Sequence, residues 1–195
     1  MLGFTAAVFF LLITPGPGVL STAGVGAGFG ARRGSHYVAG LFLGTNLVAM
    51  LVVSGLGALV LADPRVRTVL FAVSFCYLTY VALRIAFAGA KLAFIERVRP
   101  PGVGDGVLLQ CVNPKAYAVN TALFTGFPFL PDSYLAEVVL KFVIINAIWV
   151  PVHFAWLWAG VALHRLELSE RTQRVINFGM AASMLIVVVL AVVLQ

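Results

Sequence analysis

Residues 1–31 carry no charged side chain, yet the middle of this stretch reads Thr14-Pro15-Gly16-Pro17-Gly18. Each proline lacks a backbone donor and clashes with the preceding helical turn, so a helix through this stretch must break. A soluble turn would be flanked by polar residues, and this one is not. The break therefore falls inside a membrane-length segment, where water cannot satisfy the freed carbonyls and other protein groups must. Thr14 ahead of Pro15 reads as a helix restart, a hydroxyl at the N-cap followed by proline at the first helical position. The same grammar recurs as Asn113-Pro114.

The chain around these breaks is a membrane protein by composition. Of 195 residues 62% are hydrophobic and 10% charged, with a mean hydropathy of +1.04, against about 25% charged in ordinary soluble domains. Residues 1–31, 34–62, 68–83, 116–131, 142–164 and 175–195 lack Asp, Glu, Lys and Arg. A crossing helix needs ~20 apolar residues, so we read six spans. They lie near 2–27, 36–61, 66–88, 106–127, 135–163 and 172–194. Met1 leads directly into apolar sequence without a basic region or a persuasive cleavage site, so the first span is expected to be retained rather than removed as a signal peptide.

The formal charge of +6 does not imply a nucleic-acid partner, because the basic residues sit in short loops without aromatic interleaving. Arg32 and Arg33, then Lys91, Arg97 and Arg99, then Arg165, Arg171 and Arg174 put eight cations in the first, third and fifth loops. The second and fourth loops hold two, Arg65 and Arg67. The excess marks the cytoplasmic side, and both termini are expected outside. Cys76 and Cys111 read as small buried apolar residues with no assigned role.

Residues 1–90 and 105–195, joined by a Pro100-Pro101-Gly102 linker over 91–104, each hold three spans and open with a broken one. Three crossings invert the second half relative to the first. Pro15 and Pro114 are 99 apart, and Asn46 and Asn146 are 100 apart. The fold expected is an all-α integral membrane protein, a single transmembrane domain of six helices in two inverted three-helix repeats. Interrupted helices at matching positions of two halves point to a transporter's site near the bilayer midplane. Both restarted helices would aim free N–H groups and the positive dipole end at the membrane middle, where a carboxylate fits.

Lys115, one residue past Pro114, sharpens that expectation, since every Asp and Glu falls in a loop or at a span end. Either it snorkels or donates to carbonyls freed by the prolines, or a substrate carboxylate is its counter-ion. The candidate binding residues are Thr14, Pro15, Gly16, Pro17, Asn46, Asn113, Pro114, Lys115, Asn120 and Asn146. The asparagines would either take the other pole of a zwitterion through their amide oxygens or hydrogen-bond helix to helix. No cofactor or metal is expected. Gly40-x-x-x-Gly44 in span two reads as close helix packing.

Thr14-Pro15-Gly16-Pro17, Gly40-x-x-x-Gly44, Tyr77 to Arg84 and Gln110-x-x-Asn113-Pro114-Lys115-Ala116 together resemble the LysE/RhtB family of amino-acid exporters, over essentially the whole chain. The resemblance implies a six-span protein of the bacterial inner membrane that exports small amino acids or their derivatives, driven by an ion gradient through proton-coupled antiport. Its partners would be an amino-acid substrate, a coupling proton, the bilayer and, in some members, a second copy as a homodimer. The sequence departs from the pattern at Gly18, where asparagine is usual, and at Thr45-Asn46, where an acidic residue is frequent. Proton coupling would then fall to His36, His153, Lys115, Asp105 or Glu137, with no choice among them. Two other classes stand beside this one. A DsbD-type thiol-disulfide electron conduit would use Cys111 beside Asn113-Pro114, and a non-transporting membrane scaffold would use its polar residues only to join helices.

Overall fold

The computed structural model describes residues 1–55, 63–86 and 99–166, with isolated positions 169, 171, 172, 174–176, 178, 179, 182 and 186 beyond them. All regular elements among the described residues are helices: α1 (Leu2–Ile13), α2 (Pro17–Val53), α3 (Pro64–Ala86), α4 (Val103–Val112), α5 (Pro114–Gly126) and α6 (Tyr134–Arg165). They occupy the first five expected spans. The sixth span with Asn177, most of the linker and the side chain of Arg84 lie outside the described residues.

Both proline breaks form, with different chemistry. Pro15 forces Thr14 out of the helical region, to φ −57° and ψ 126°, so α1 ends at Ile13. The Thr14 hydroxyl turns back and donates to Phe10 O at 2.6 Å. The expected restart at Thr14 is therefore corrected. Thr14 closes α1, Gly16 is the N-cap of α2, and Pro17 takes the first helical position, where its missing donor costs nothing. Asn113 behaves as expected, with its Oδ1 accepting from Lys115 N at 3.1 Å and Pro114 opening α5.

α2 is a hairpin. Gly30 has φ 76°, a left-handed conformation that suits glycine, and Tyr37 Oη donates to Ser21 Oγ at 3.0 Å across 16 residues. Along an unbroken helix that separation is about 24 Å. The chain therefore folds back at Gly30 into limbs 17–29 and 31–53, with Arg32 and Arg33 at the bend, as the loop assignment required.

Small residues bring the helices together. A methyl on Gly40 would strike Val103 O, and one on Gly106 would lie 2.5 Å from Tyr37 O, so the second limb of α2 and α4 touch backbone to backbone. The first limb meets α6 the same way, with Gly26 against Leu157 O at 2.6 Å and Gly160 against Ala23 O. In lipid this close approach supplies the packing that burial from water supplies in a soluble core. Trp149, Tyr37, Leu41, Leu109 and Leu157 are fully buried between these helices. Outward positions such as Leu2, Phe10, Leu43, Met50, Val69 and Leu135 remain apolar and exposed, which suits a hydrocarbon surround. The apolar part of α6, Tyr134–Leu163, runs 30 residues, about 45 Å and enough to cross a ~30 Å hydrocarbon core.

Candidate substrate site between the helix breaks

The two breaks touch. Lys115 Nζ donates to Thr14 O at 2.8 Å and lies 3.5 Å from Pro15 O, so the ammonium ties the start of α5 to the carbonyls stranded at the end of α1. Gly16 lets the lysine lie close, because a Cβ there would sit 2.8 Å from Lys115 Nζ and the side chain would have to shift. This is the donation to proline-freed carbonyls that the sequence allowed. It leaves the charge itself uncompensated, since no carboxylate pairs with Lys115 among the described residues.

Beside this contact lies a cavity of about 50 Å³, room for a few waters by volume. Thr14, Gly16, Gly18, Asn113, Lys115 and Asn120 all line it, with Thr45, Gln110 and His153 adding polar groups and Leu11, Leu123, Ile145 and Trp149 an apolar wall. Five of the ten sequence-derived candidates thus share one cavity. Pro15, Pro17 and Pro114 are not among the lining residues and act only as the break residues of their helices. Asn46 and Asn146 do not line it. Their amides bond each other reciprocally, Asn46 Nδ2 to Asn146 Oδ1 at 3.1 Å and Asn146 Nδ2 to Asn46 Oδ1 at 2.9 Å.

Within the cavity wall Asn113 is doubly used, its Nδ2 donating to Gln110 Oε1 at 3.1 Å. Asn120 Nδ2 donates back to Ala116 O at 2.8 Å. His153 is 3% exposed, with Nδ1 3.0 Å from Trp149 O and its ring stacked on Trp149 at 3.6 Å. In the first turn of α2, Leu20 N reaches Gly16 O at 3.0 Å. The N–H groups of Gly18 and Val19 precede it, so no carbonyl of their own helix is available to them.

Sequence reasoning passed over a second buried cation. Lys141, 1% exposed, pairs with Glu137 at 2.9 Å and donates to Phe124 O at 3.0 Å. The rings of Phe4 and Phe129 lie 5.6 and 5.7 Å from its ammonium. Glu137 in turn accepts from Phe129 N at 2.8 Å and Leu130 N at 2.6 Å. The signal was present, since Glu and Lys four apart share a helix face. The two lysines differ in one respect that matters: Lys141 is neutralised by a carboxylate of the protein and Lys115 is not.

The family model for the LysE type translocator matches residues 9–195. The chain belongs to that family. It is 26% identical to the leucine efflux protein of Enterobacter sp. (strain 638), over 64% of this chain, which spans 61% of that relative. It is 29% identical to the cysteine/O-acetylserine efflux proteins of Salmonella paratyphi A (strain ATCC 9150 / SARB42) and Salmonella typhi, over 78% of this chain and of each relative. No solved structure matches. Family membership makes this LysE-type translocator a membrane protein and not an enzyme, and it does not favour the thiol-disulfide conduit. Cys76, exposed on α3, and Cys111, half-buried on α4, are both free.

Proposed function

We propose that this LysE-type translocator exports small amino acids or related zwitterions across the bacterial cytoplasmic membrane, with both termini outside, by alternating access around the Pro15-Gly16-Pro17 and Asn113-Pro114-Lys115 breaks. The observation that carries this reading is Lys115, an ammonium on the wall of a cavity between two helix breaks, held by carbonyls alone among the described residues. A carboxylate is a better partner for that cation than two carbonyls, because it brings a full opposite charge where the carbonyls bring only dipoles. The arriving substrate carboxylate takes the ammonium from Thr14 and Pro15, and the contact between the breaks loosens as the site fills.

The inverted-repeat plan, with halves 1–90 and 105–195, belongs to the same proposal. Asn46 and Asn146, equivalent under the offset of 100, bond each other reciprocally. A residue that meets its own counterpart lies on the two-fold axis relating the halves. The names of the relatives suggest leucine, cysteine and O-acetylserine as the first substrates to try. Coupling to an inward proton gradient completes the scheme.

The test is a thermal-shift screen of the purified protein in detergent over the twenty amino acids and O-acetylserine, followed by counterflow in proteoliposomes for each stabilising compound. At least one should raise the melting temperature, as a ligand of the folded state must, and should exchange across the vesicle membrane. A protein stabilised by none of them, and inactive in counterflow, is not an amino-acid exporter.

A further inference from the structure

A zwitterion needs partners of both signs, and Lys115 meets only its carboxylate. Among the expected acceptors for the ammonium, Asn120 keeps its Oδ1 on the cavity wall, since only its Nδ2 is bonded, to Ala116 O, and the others are occupied. Asn46 and Asn146 satisfy each other, Asn113 Oδ1 accepts from Lys115 N, and Gln110 Oε1 accepts from Asn113 Nδ2. His153 is different. Its Nδ1 faces Trp149 O, which can only accept, so Nδ1 carries the proton and Nε2 carries a lone pair in the neutral ring. Stacking on Trp149 fixes the plane of the ring. A methyl on Gly18 would sit 3.6 Å from His153 Nε2, so that lone pair looks across the cavity at the first turn of α2. Nε2 bonds no protein group among the described residues.

We propose that His153 Nε2 is the acceptor for the substrate's ammonium, so that substrate and proton are mutually exclusive occupants of one lone pair. This rests on the export reading and deepens it. Of the cavity-lining side chains only Lys115, from α5, and His153, from α6, are titratable; α1, both limbs of α2 and α4 contribute none. A protonated His153 therefore sets a second cation beside Lys115, and an arriving ammonium would add a third positive charge. The imidazolium gives its proton to water before the ammonium docks, and no bond of the substrate changes.

The experiment uses the full chain in detergent. Dissociation constants are measured for L-leucine and L-cysteine, and for leucic acid and mercaptolactate, which carry a hydroxyl in place of the ammonium. Measurements are made over a pH series running from about 7.5 down to about 4.5. The wild type should bind its amino acid more tightly at the top of the series than at the bottom, and the matching hydroxy acid should not be weakened by acid. His153→Gln, whose amide oxygen accepts without titrating, should bind the amino acid within about threefold across the series. His153→Phe keeps a ring to stack on Trp149 and should lose the preference for amino acid over hydroxy acid. Wild-type affinity independent of pH, or full pH dependence in His153→Gln, overturns the assignment while leaving the export reading intact. If none of the twenty amino acids nor O-acetylserine binds the wild type at any pH, the export reading falls and this inference with it.

Discussion

Replacing Lys115 with methionine separates the two roles its geometry allows, tether and ligand. The substitution removes a charge-assisted bond of 2.8 Å to Thr14 O and a weaker 3.5 Å contact to Pro15 O, together worth about 1.5–3 kcal/mol. It also removes the cost of holding a lysine at membrane depth, about 2.5–3.5 kcal/mol on insertion scales. These opposing changes leave the folded protein between about 0.5 kcal/mol less stable and about 2 kcal/mol more stable, so no large loss is expected. Substrate has no such compensation. Its carboxylate loses a cation worth about 1.5–3 kcal/mol, which is about 10- to 150-fold in the dissociation constant. The assay is a melting curve in detergent with and without substrate, paired with counterflow in proteoliposomes. The expected result is a near-native melting temperature, weakened binding and lost transport. A Lys115→Met protein that melts early but binds its substrate normally would show that the ammonium is only a tether. Lys115→Arg should not restore full transport, because Gly16 leaves no room for a bulkier head: even a methyl there would lie 2.8 Å from Nζ.

Asn46→Ala and Asn146→Ala each strand one amide of a reciprocal pair, so a double-mutant cycle on thermal unfolding should show a coupling of about 0.5–2 kcal/mol; no coupling would remove the pair as a link between halves. Lys141→Met leaves the Glu137 carboxylate without its cation and should lower the melting temperature by several degrees, well beyond the change in Lys115→Met. Equal losses at the two lysines would refute the distinction drawn between them.

The positions of both breaks were legible because each proline follows a residue suited to capping, Thr14 or Asn113, whereas Pro151, preceded by Val150, stays inside α6. Which residue caps the restarted helix was not. Thr14-Pro15 and Asn113-Pro114 look alike in sequence, but a second proline two residues later lets α2 start at Pro17, and Thr14 falls to the end of α1. Gly40-x-x-x-Gly44 was read correctly as a packing face, since only small residues permit the contact with Val103 and Val107. The fold-back at Gly30 was legible from Arg32 and Arg33 rather than from the glycine itself, one of four at alternate positions from Gly24 to Gly30. His153 stood among several possible proton carriers because its orientation depends on Trp149 O and Gly18, a three-dimensional fact. The pairing of Asn46 with Asn146 was hidden for the same reason: sequence gives matching positions, and only packing decides that they face each other.

Several side-chain bonds between residues 1–90 and 105–195 share a spacing. Lys115 reaches Thr14 across 101 residues and Pro15 across 100, and Asn146 reaches Asn46 across 100. When two halves are related by an offset of about that size, contacts at that separation join each element to its own counterpart and lie nearest the relating axis. Groups near an axis move least when one half rocks against the other, so links there persist while the flanks open and close. The asparagine pair is neutral and satisfied on both sides, which suits a permanent hinge. The Lys115 link is charged on one side and neutral on the other, which suits an exchangeable one. On the proposed reading, a carboxylate entering the cavity would compete with carbonyls for the same ammonium, and substrate binding would thereby act on the contact that holds the two breaks together.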